Sequence, residues 1–438
     1  MADVTETRQD RAGMRVAPPT PGVVQVFSET TGAGLIGFEL ARLSRIGRDK
    51  EAEVSIDDTQ ISRFHALLAP STGGVIVTDL GSRNGTYLDG RRLGSEEVLA
   101  PTGSVLRCGG TLLRVVDDVG PYRAWTAQPG SRLIGGPSLG IVRKLLKNIA
   151  RLRHAVLIEG ETGTGKEVVA RELHELSAIE GQYIAVNCSA IPAELVESEL
   201  FGHSRGAFSG SDRQRPGLFR TAHRGTLLLD ELGDLPASAQ AKLLRAMELR
   251  EIRPVGEDRA VPVDVRVIGA TNVDLARRVE EGLFRADLFH RIAVWKIHLP
   301  PLRARLEDVP LLAVHLLGDS GLTLGVELME KFMLSSWPGN VRELRNAVTT
   351  AMAEAEANGQ TQLRPEHLPP RRAGEALAQP AAGDDPETAA RRSKLEAALT
   401  RHQGNVSHVA KEMGCTRPWL YLEMKRLNLD PTLYRRRG

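Results

Sequence analysis

A glycine-rich octapeptide, Gly160-Glu161-Thr162-Gly163-Thr164-Gly165-Lys166-Glu167, follows the apolar run Ala155–Ile158 and opens a segment with apolar residues at Val169, Ala170, Leu173 and Leu176. Strand, glycine-rich turn, then helix is the context that a phosphate-binding loop requires. Glycines let successive backbone N–H groups turn toward phosphate oxygens. The helix N-terminus adds a favourable dipole, and Lys166 adds a positive charge within reach of the terminal phosphates. A chance glycine-rich turn is the competing reading, and it leaves the agreement of strand, spacing and lysine unexplained. Glu167 stands where Ser or Thr usually helps to hold magnesium, so another carboxylate must carry more of that task.

With 438 residues the chain has room for roughly two to four domains. Its 41% apolar and 26% charged residues are those of a globular protein. The three cysteines (Cys108, Cys188, Cys415) lie far apart without metal-ligand spacing, which fits thiols in a reducing compartment. No apolar run approaches the roughly 18 residues needed to span a bilayer. The N-terminus lacks the apolar core of a secretory signal, so a cytoplasmic chain without membrane contact is expected. Charge is unevenly spread: residues 391–438 hold eleven Lys/Arg against four Asp/Glu. A solvated helical face can look like that, but a polyanion partner fits it equally.

Two composition shifts divide the chain. Residues 117–131 contain Pro121 and Pro129 among scattered polar residues, and 369–390 are rich in Pro, Ala and acid without apolar periodicity. The expected order is a disordered tail (1–21), an all-β unit (22–116), a linker (117–131), an α/β unit (132–368, with a helical lid from about 303), a second linker (369–390) and a short helical unit (391–438). Candidate strands of the α/β unit are Ala155–Ile158, Ile184–Val186, Thr226–Leu229 and Val265–Ala270. The third of these ends in Asp230 and Glu231. Acids at the C-terminal end of a parallel strand sit where such sheets bind ligands. Asp230 can hold magnesium, and Glu231 can orient and polarise a water toward a γ-phosphate.

Residues 132–368 closely resemble the AAA+ domain of bacterial sigma-54-dependent transcription activators. The resemblance is carried by GETGTGKE (160–167), VNCSA (186–190), ESELFGHSRGAFSGS (197–211), GTLLLDE (225–231), DVRVIGATN (264–272), FRADLFHRI (284–292), PPLRARLEDVPLL (300–312) and WPGNVRELRN (337–346). It implies ATP as the bound nucleotide, with residues 160–167 around the phosphates. It makes Asn187 the asparagine that holds Glu231 in a switchable state, and Thr271 and Asn272 the first sensor of the γ-phosphate. Arg285 and Arg291 become arginine fingers reaching a neighbouring subunit, and Arg342 the second sensor, in the lid. Fixed guanidinium groups offset charge on a transferring phosphoryl group. Without the resemblance, all three arginines read as ordinary surface ion-pair partners. Fingers acting in trans imply a homo-oligomeric ring, by resemblance a hexamer.

Gly206-Ala207-Phe208-Ser209-Gly210-Ser211 resembles the family loop GAFTGA, which touches sigma-54. A phenylalanine among glycines and small residues is a poor core element and suits an exposed contact tip; a plain surface loop is the bland reading. Ser209 replaces Thr and Ser211 replaces Ala relative to that pattern.

In residues 393–429, Leu395, Leu399, Val406, Val409, Ala410 and Met413 have helical apolar spacing. Gly414 fits a C-terminal cap and Thr416 can cap the following helix. This leaves Thr416, Arg417, Trp419, Tyr421 and Lys425 facing outward, where double-stranded DNA contacts arise. The segment resembles the Fis-type helix-turn-helix that ends most such activators; a basic helical hairpin for oligomerisation is the other reading.

Three patches mark the front unit: Ile46-Gly47-Arg48-Asp49, Ser62-Arg63-Phe64-His65 and Gly81-Ser82-Arg83-Asn84-Gly85-Thr86. At these separations in a β-rich unit they resemble the forkhead-associated (FHA) domain. The resemblance implies a phosphothreonine site. That group carries close to two negative charges and three acceptor oxygens. Arg48 can pair with it, Ser62 and Arg63 can donate further bonds, and Asn84 would hold the peptide backbone. His65 reads as a brace behind the loop. An FHA fold that binds protein without phosphate is the alternative.

Together these features describe an ATP-dependent activator. It would bind DNA through its tail, sense phosphothreonine through the FHA domain, and remodel sigma-54 RNA polymerase through its ring. Two rivals remain open: a remodeller of another protein target, which would not need residues 206–211, and a DNA-binding repressor or scaffold with a vestigial ATPase.

Overall fold

The computed structural model describes residues 19–127, 130–206 and 214–369, together with Leu395, Ala398, Leu399, Arg401, His402, Val406 and Val409. The chain divides into two compact units, residues 1–372 and 373–438.

The front of the first unit is a β-sandwich. One sheet runs Gly32–Glu39, Gly22–Ser28, Thr111–Val116, Val105–Cys108, Thr86–Leu88, Arg91–Arg92; the other runs Val54–Ser55, Ser44–Gly47, Ala66–Ser71, Gly74–Asp79, Val98–Pro101. The inner faces meet through Val23, Leu40, Ile46, Leu68, Val77, Leu106 and Leu113, all buried. Apolar runs at Val23–Phe27, Ile36–Leu43, Ala66–Leu68, Gly74–Thr78, Val105–Cys108 and Leu112–Val116 seed six of these strands. Short members such as Thr86–Leu88 carry too little apolar pattern to be seen without their partners. The segment 117–131 contains a helical turn, Gly120–Arg123, and Val119 just before it is fully buried.

The α/β part is a five-stranded parallel sheet ordered Tyr183–Asn187, Thr226–Asp230, Arg266–Thr271, Val156–Glu159, Trp295–His298. Helices cover both faces, so central strands are apolar throughout: Val156, Leu157 and Ile158, like Leu227, Leu228 and Leu229, are fully buried. Four strands coincide with the expected ones within two residues, and Trp295–His298 is the one not anticipated. The first strand in the chain lies between the fourth and the fifth, and such sheets bind ligands beyond the strands' C-terminal ends.

A helical lid follows, formed by Asp308–Leu317, Val326–Met333 and Asn340–Ala357. Its core is not its own. Leu312, Val326, Met329 and Phe332 from the lid pack in one continuous cluster with Val24, Val26, Leu35, Leu112 and Val119 from the β-sandwich. In the second unit Leu395, Ala398, Leu399, Val406 and Val409 are helical and buried, in line with the apolar helical spacing of that segment.

Candidate functional site

The phosphate loop leaves Glu159 and passes directly into the helix Lys166–Leu176. Gly163 and Gly165 have φ of +80° and +103°, a left-handed conformation that only glycine adopts at little cost. A Cβ on Gly163 would also lie 2.3 Å from the Gly339 carbonyl oxygen of the lid. Lys166 is 7% exposed, and its Nζ donates to the carbonyls of Gly160 (2.9 Å) and Glu161 (3.3 Å). Burial lowers its pKa, while the charges of Glu231 and Asp230 act the other way. Glu167 is exposed and paired with Arg171 one helical turn on at 3.7 Å, as its position on the outer face dictates.

Asp230 and Glu231 emerge beside this loop. Asp230 Oδ1 accepts from the Glu231 backbone N–H at 3.0 Å. Glu231 sits at φ +51°, strained for a residue with a Cβ, and this turns its side chain out of the strand's alternation. Burial, opposed by Lys166 and reinforced by Asp230, raises its pKa above the usual carboxylate value. Magnesium in nucleotide sites takes one or two carboxylates and completes its shell with phosphate oxygens and water. A half-buried Asp230 with one oxygen uncommitted to Glu231 fits that requirement.

The neighbouring strand ends supply the remaining groups. Asn187 lies in register with Asp230, and its Oδ1 accepts from the Ser189 amide (3.0 Å) and hydroxyl (2.8 Å). Thr271 is 1% exposed and its Oγ1 accepts from the Val273 amide at 3.2 Å. Asn272 Nδ2 donates to Thr162 Oγ1 at 3.0 Å, and its backbone N–H reaches Glu231. Asn272 therefore touches both the phosphate loop and the candidate base. Arg342 packs against the loop from the lid, its Cβ beside Gly163.

Arg285 and Arg291 flank a different part of the surface. Arg285 caps the helix Ala286–Ile292 and forms a two-point ion pair with Asp287 (2.7 and 3.1 Å). Arg291 donates to the Met247 carbonyl at 3.2 Å. Both side chains are exposed, and neither bond is to a residue of the phosphate loop.

The lid holds the loop through residues to which the sequence motifs assign no role. Arg303 makes a two-point pair with Glu161 (2.6 and 2.8 Å), which keeps that carboxyl below the usual range. Asn340, fully buried at φ +53°, donates to Glu161 Oε2 and to the Thr162 carbonyl, each at 3.1 Å. Arg305, 2% exposed, donates to the Thr164 carbonyl at 2.9 Å. The available signal was an asparagine after Pro338-Gly339, at a helix start where left-handed geometry is tolerated.

At the tip of the sandwich, three loops converge. The Arg48 amide donates to the Ser62 carbonyl (3.1 Å) and the Asp49 amide to the Arg63 carbonyl (3.2 Å). This approach is so close that a Cβ on Gly47 would lie 1.9 Å from the Arg63 oxygen. Ser62 Oγ accepts from the Arg83 amide at 3.1 Å, and Asn84 Nδ2 donates to the Gln60 carbonyl at 2.7 Å. Arg48, Arg63 and Asn84 are exposed and Ser62 half-buried, all on one rim. His65 is fully buried: Nδ1 accepts from the Ser62 amide (3.2 Å), leaving Nε2 to donate to the Gly85 carbonyl (3.3 Å). Burial lowers its pKa, so it acts as a neutral brace between two of the loops.

The residues read as a sigma-54 contact spring from a two-stranded base, Gly202–His203 with Arg215–Pro216; Gly206 is exposed at φ +81°. Ala207, Phe208, Ser209, Gly210 and Ser211 lie outside the described residues, as do Thr416, Arg417, Trp419, Tyr421 and Lys425.

A phosphate loop at the edge of a 2-3-4-1-5 parallel sheet, with a helical lid pressed on it, defines an AAA+ ATPase, joined here to an FHA β-sandwich. The chain matches the sigma-54 interaction domain over residues 135–298, the FHA domain over 44–109 and the AAA+ ATPase lid domain over 303–384. It is 37% identical to the response regulator protein PilR of Pseudomonas aeruginosa, over 82% of this chain and 84% of that one. It is 44% identical to the regulatory protein LuxO of Vibrio cholerae, over 60% of this chain but only 52% of LuxO. The crystal structure of NtrX from Brucella abortus in complex with ATP is similar at 32% identity and a TM-score of 0.52, covering 68% of this chain and 70% of that one. The chain belongs to the sigma-54-dependent transcriptional regulators. Among the described residues no helix is long and apolar enough to cross a membrane.

Proposed function

We propose that this protein is a cytoplasmic, ATP-driven activator of sigma-54 RNA polymerase, controlled by phosphothreonine binding to its FHA domain. The observation that carries the ATPase half is the convergence of Lys166, Asp230, Glu231 and Asn272 at the strand ends beside the phosphate loop. ATP binds with its phosphates along the amides of residues 160–167 and against Lys166. Magnesium bound with the nucleotide would be held by Asp230 and would neutralise phosphate charge. Glu231 takes up the proton of the attacking water, and Asn272, bonded to both Thr162 and Glu231, reports the γ-phosphate to the base. Asn187 stands one strand away from Glu231; its Oδ1 is held by Ser189, and its Nδ2 can donate to the glutamate. Arg285 and Arg291 act on the next subunit of a hexameric ring, and Arg342 follows lid movement.

The loop 206–211, set on its two-stranded base, contacts sigma-54, and hydrolysis drives promoter opening. The basic tail holds upstream DNA through Thr416, Arg417, Trp419, Tyr421 and Lys425. Arg48, Ser62, Arg63 and Asn84 receive the phosphothreonine and its backbone. The shared rim position of these four, with Arg48, Arg63 and Asn84 exposed, supports the reading.

The test is ATP-dependent open-complex formation by the full chain with sigma-54 RNA polymerase on a premelted promoter, with Glu231→Gln as control. Opening by wild type alone is expected. ATP turnover with no opening, even with phosphopeptide present, would move the target to another protein, and DNA binding without turnover would leave a repressor or scaffold.

A further inference from the structure

The rim of the FHA domain and the lid of the ATPase are joined by an unbroken series of hydrogen bonds. Asn84 donates to the Gln60 carbonyl at 2.7 Å. The Gln60 side chain donates to Glu29 Oε2 at 2.8 Å. Glu29 Oε1 accepts from the Val326 amide at 2.7 Å and from Gln362 Nε2 at 3.2 Å. Val326 opens the lid helix Val326–Met333, so a carboxylate from the sandwich stands at the positive end of a lid helix.

On its other side the lid is tied to the nucleotide site. Arg114 of the sandwich is paired with Glu307, which is fully buried and also accepts from Ser138. The next residue, Asp308, accepts from Arg305 at 3.3 Å and from the Gly136 amide. Arg305 in turn holds the Thr164 carbonyl of the phosphate loop. Sandwich and lid also share one apolar cluster, so the two polar seams join parts that are already packed together.

We propose that Glu29 and Gln60, on the phosphopeptide side, and Arg114, on the nucleotide side, are positioning residues that make phosphopeptide and nucleotide binding depend on one another through the lid. The proposal rests on reading the rim as a phosphothreonine site. A peptide that engages Asn84 competes with the Gln60 carbonyl for its amide protons. That loosens Gln60 and removes a partner from Glu29, whose other oxygen fixes the lid helix. The lid carries Arg303, Arg305 and Asn340, so its position sets that of the phosphate loop. Coupling between two sites is reciprocal: whatever factor peptide imposes on nucleotide affinity, nucleotide imposes on peptide affinity.

The experiment uses the full chain, a fluorescent peptide with one phosphothreonine between randomised flanks, and a slowly hydrolysed fluorescent ATP analogue. Each affinity is measured with and without saturating amounts of the other ligand. A change of about fivefold, equal in both directions, is expected for wild type. Gln60→Ala keeps the backbone carbonyl, is exposed, and cuts only the side-chain link to Glu29. It is expected to bind nucleotide alone with the affinity that peptide-bound wild type shows, and adding peptide should change that affinity little further, the mutual effect being reduced toward one. Glu29→Gln, which keeps an acceptor oxygen, should retain part of the effect. Independent affinities in wild type, or full coupling in Gln60→Ala, overturn the proposal. A wild-type chain that binds the nucleotide but not the phosphopeptide removes the rim reading itself, and the proposal with it.

Discussion

Among single residues, the site is tuned by burial as much as by contact. Glu231 must be a carboxylate to accept a proton, yet burial and the charge of Asp230 raise its pKa above the ordinary 4.5, with Lys166 as the opposing influence. The active, ionised fraction is therefore lost at a higher pH than a free glutamate would dictate. The acid limb of kcat/KM for ATP hydrolysis should lie above pH 4.5. A steady-state pH profile checks this, and a limb at or below that value would show that Glu231 is better solvated than its surroundings indicate. The same logic explains His65. Buried between Ser62 and Gly85, it stays neutral and holds two loops together without touching a ligand. Its bracing role was legible in the sequence; the atoms that do it were not, because both partners are backbone groups that every residue has.

Among the elements, the lid and the sandwich share one core, which predicts that they unfold together. Phe332, 1% exposed, packs edge-on against Trp337 with ring centroids 5.6 Å apart and belongs to the cluster that includes Val24 and Leu112 of the sandwich. Phe332→Ala should cost about 3–5 kcal/mol. The loss should appear in the amide exchange of the sandwich strand Gly22–Ser28 as well as in the lid. Exchange that rises in the lid alone would mean that the two parts unfold separately. Arg107 reinforces the joint: its guanidinium stacks 3.7 Å above the Tyr87 ring and pairs with Glu330 at 2.9 Å. Helical periodicity marks the lid's apolar stripe, but a stripe does not say what covers it. Pattern alone therefore assigns sandwich and lid separate cores, where the folded chain has one core common to both.

Across the molecule, the finger role proposed for Arg285 and Arg291 would divide the catalytic machinery between copies. Arg285 is held by Asp287 and Arg291 by the Met247 carbonyl, both on exposed surface. If they act on a neighbour's nucleotide, turnover per subunit should rise with protein concentration until rings are complete. Arg291→Ala should lower turnover while leaving nucleotide affinity within a few-fold. Initial-rate measurements over a dilution series test this, and strict proportionality to concentration at every dilution would sink it.

The nucleotide chemistry and the family were legible in the chain before any fold was known. Glycines at 160, 163 and 165, Lys166, and the acids at 230 and 231 owe their roles to local backbone geometry and to strand ends, both of which are written in short stretches of chain. Arg48, Ser62, Arg63 and Asn84 could likewise be grouped as one set, and the sandwich brings them to one rim. How sandwich, lid and phosphate loop meet was settled by folding alone. Glu29 reaches Val326, Arg114 reaches Glu307 and Asn340 reaches Thr162 across 297, 193 and 178 residues of chain. Such pairings depend on which buried polar groups find partners once apolar surfaces have closed, and no local pattern encodes that choice.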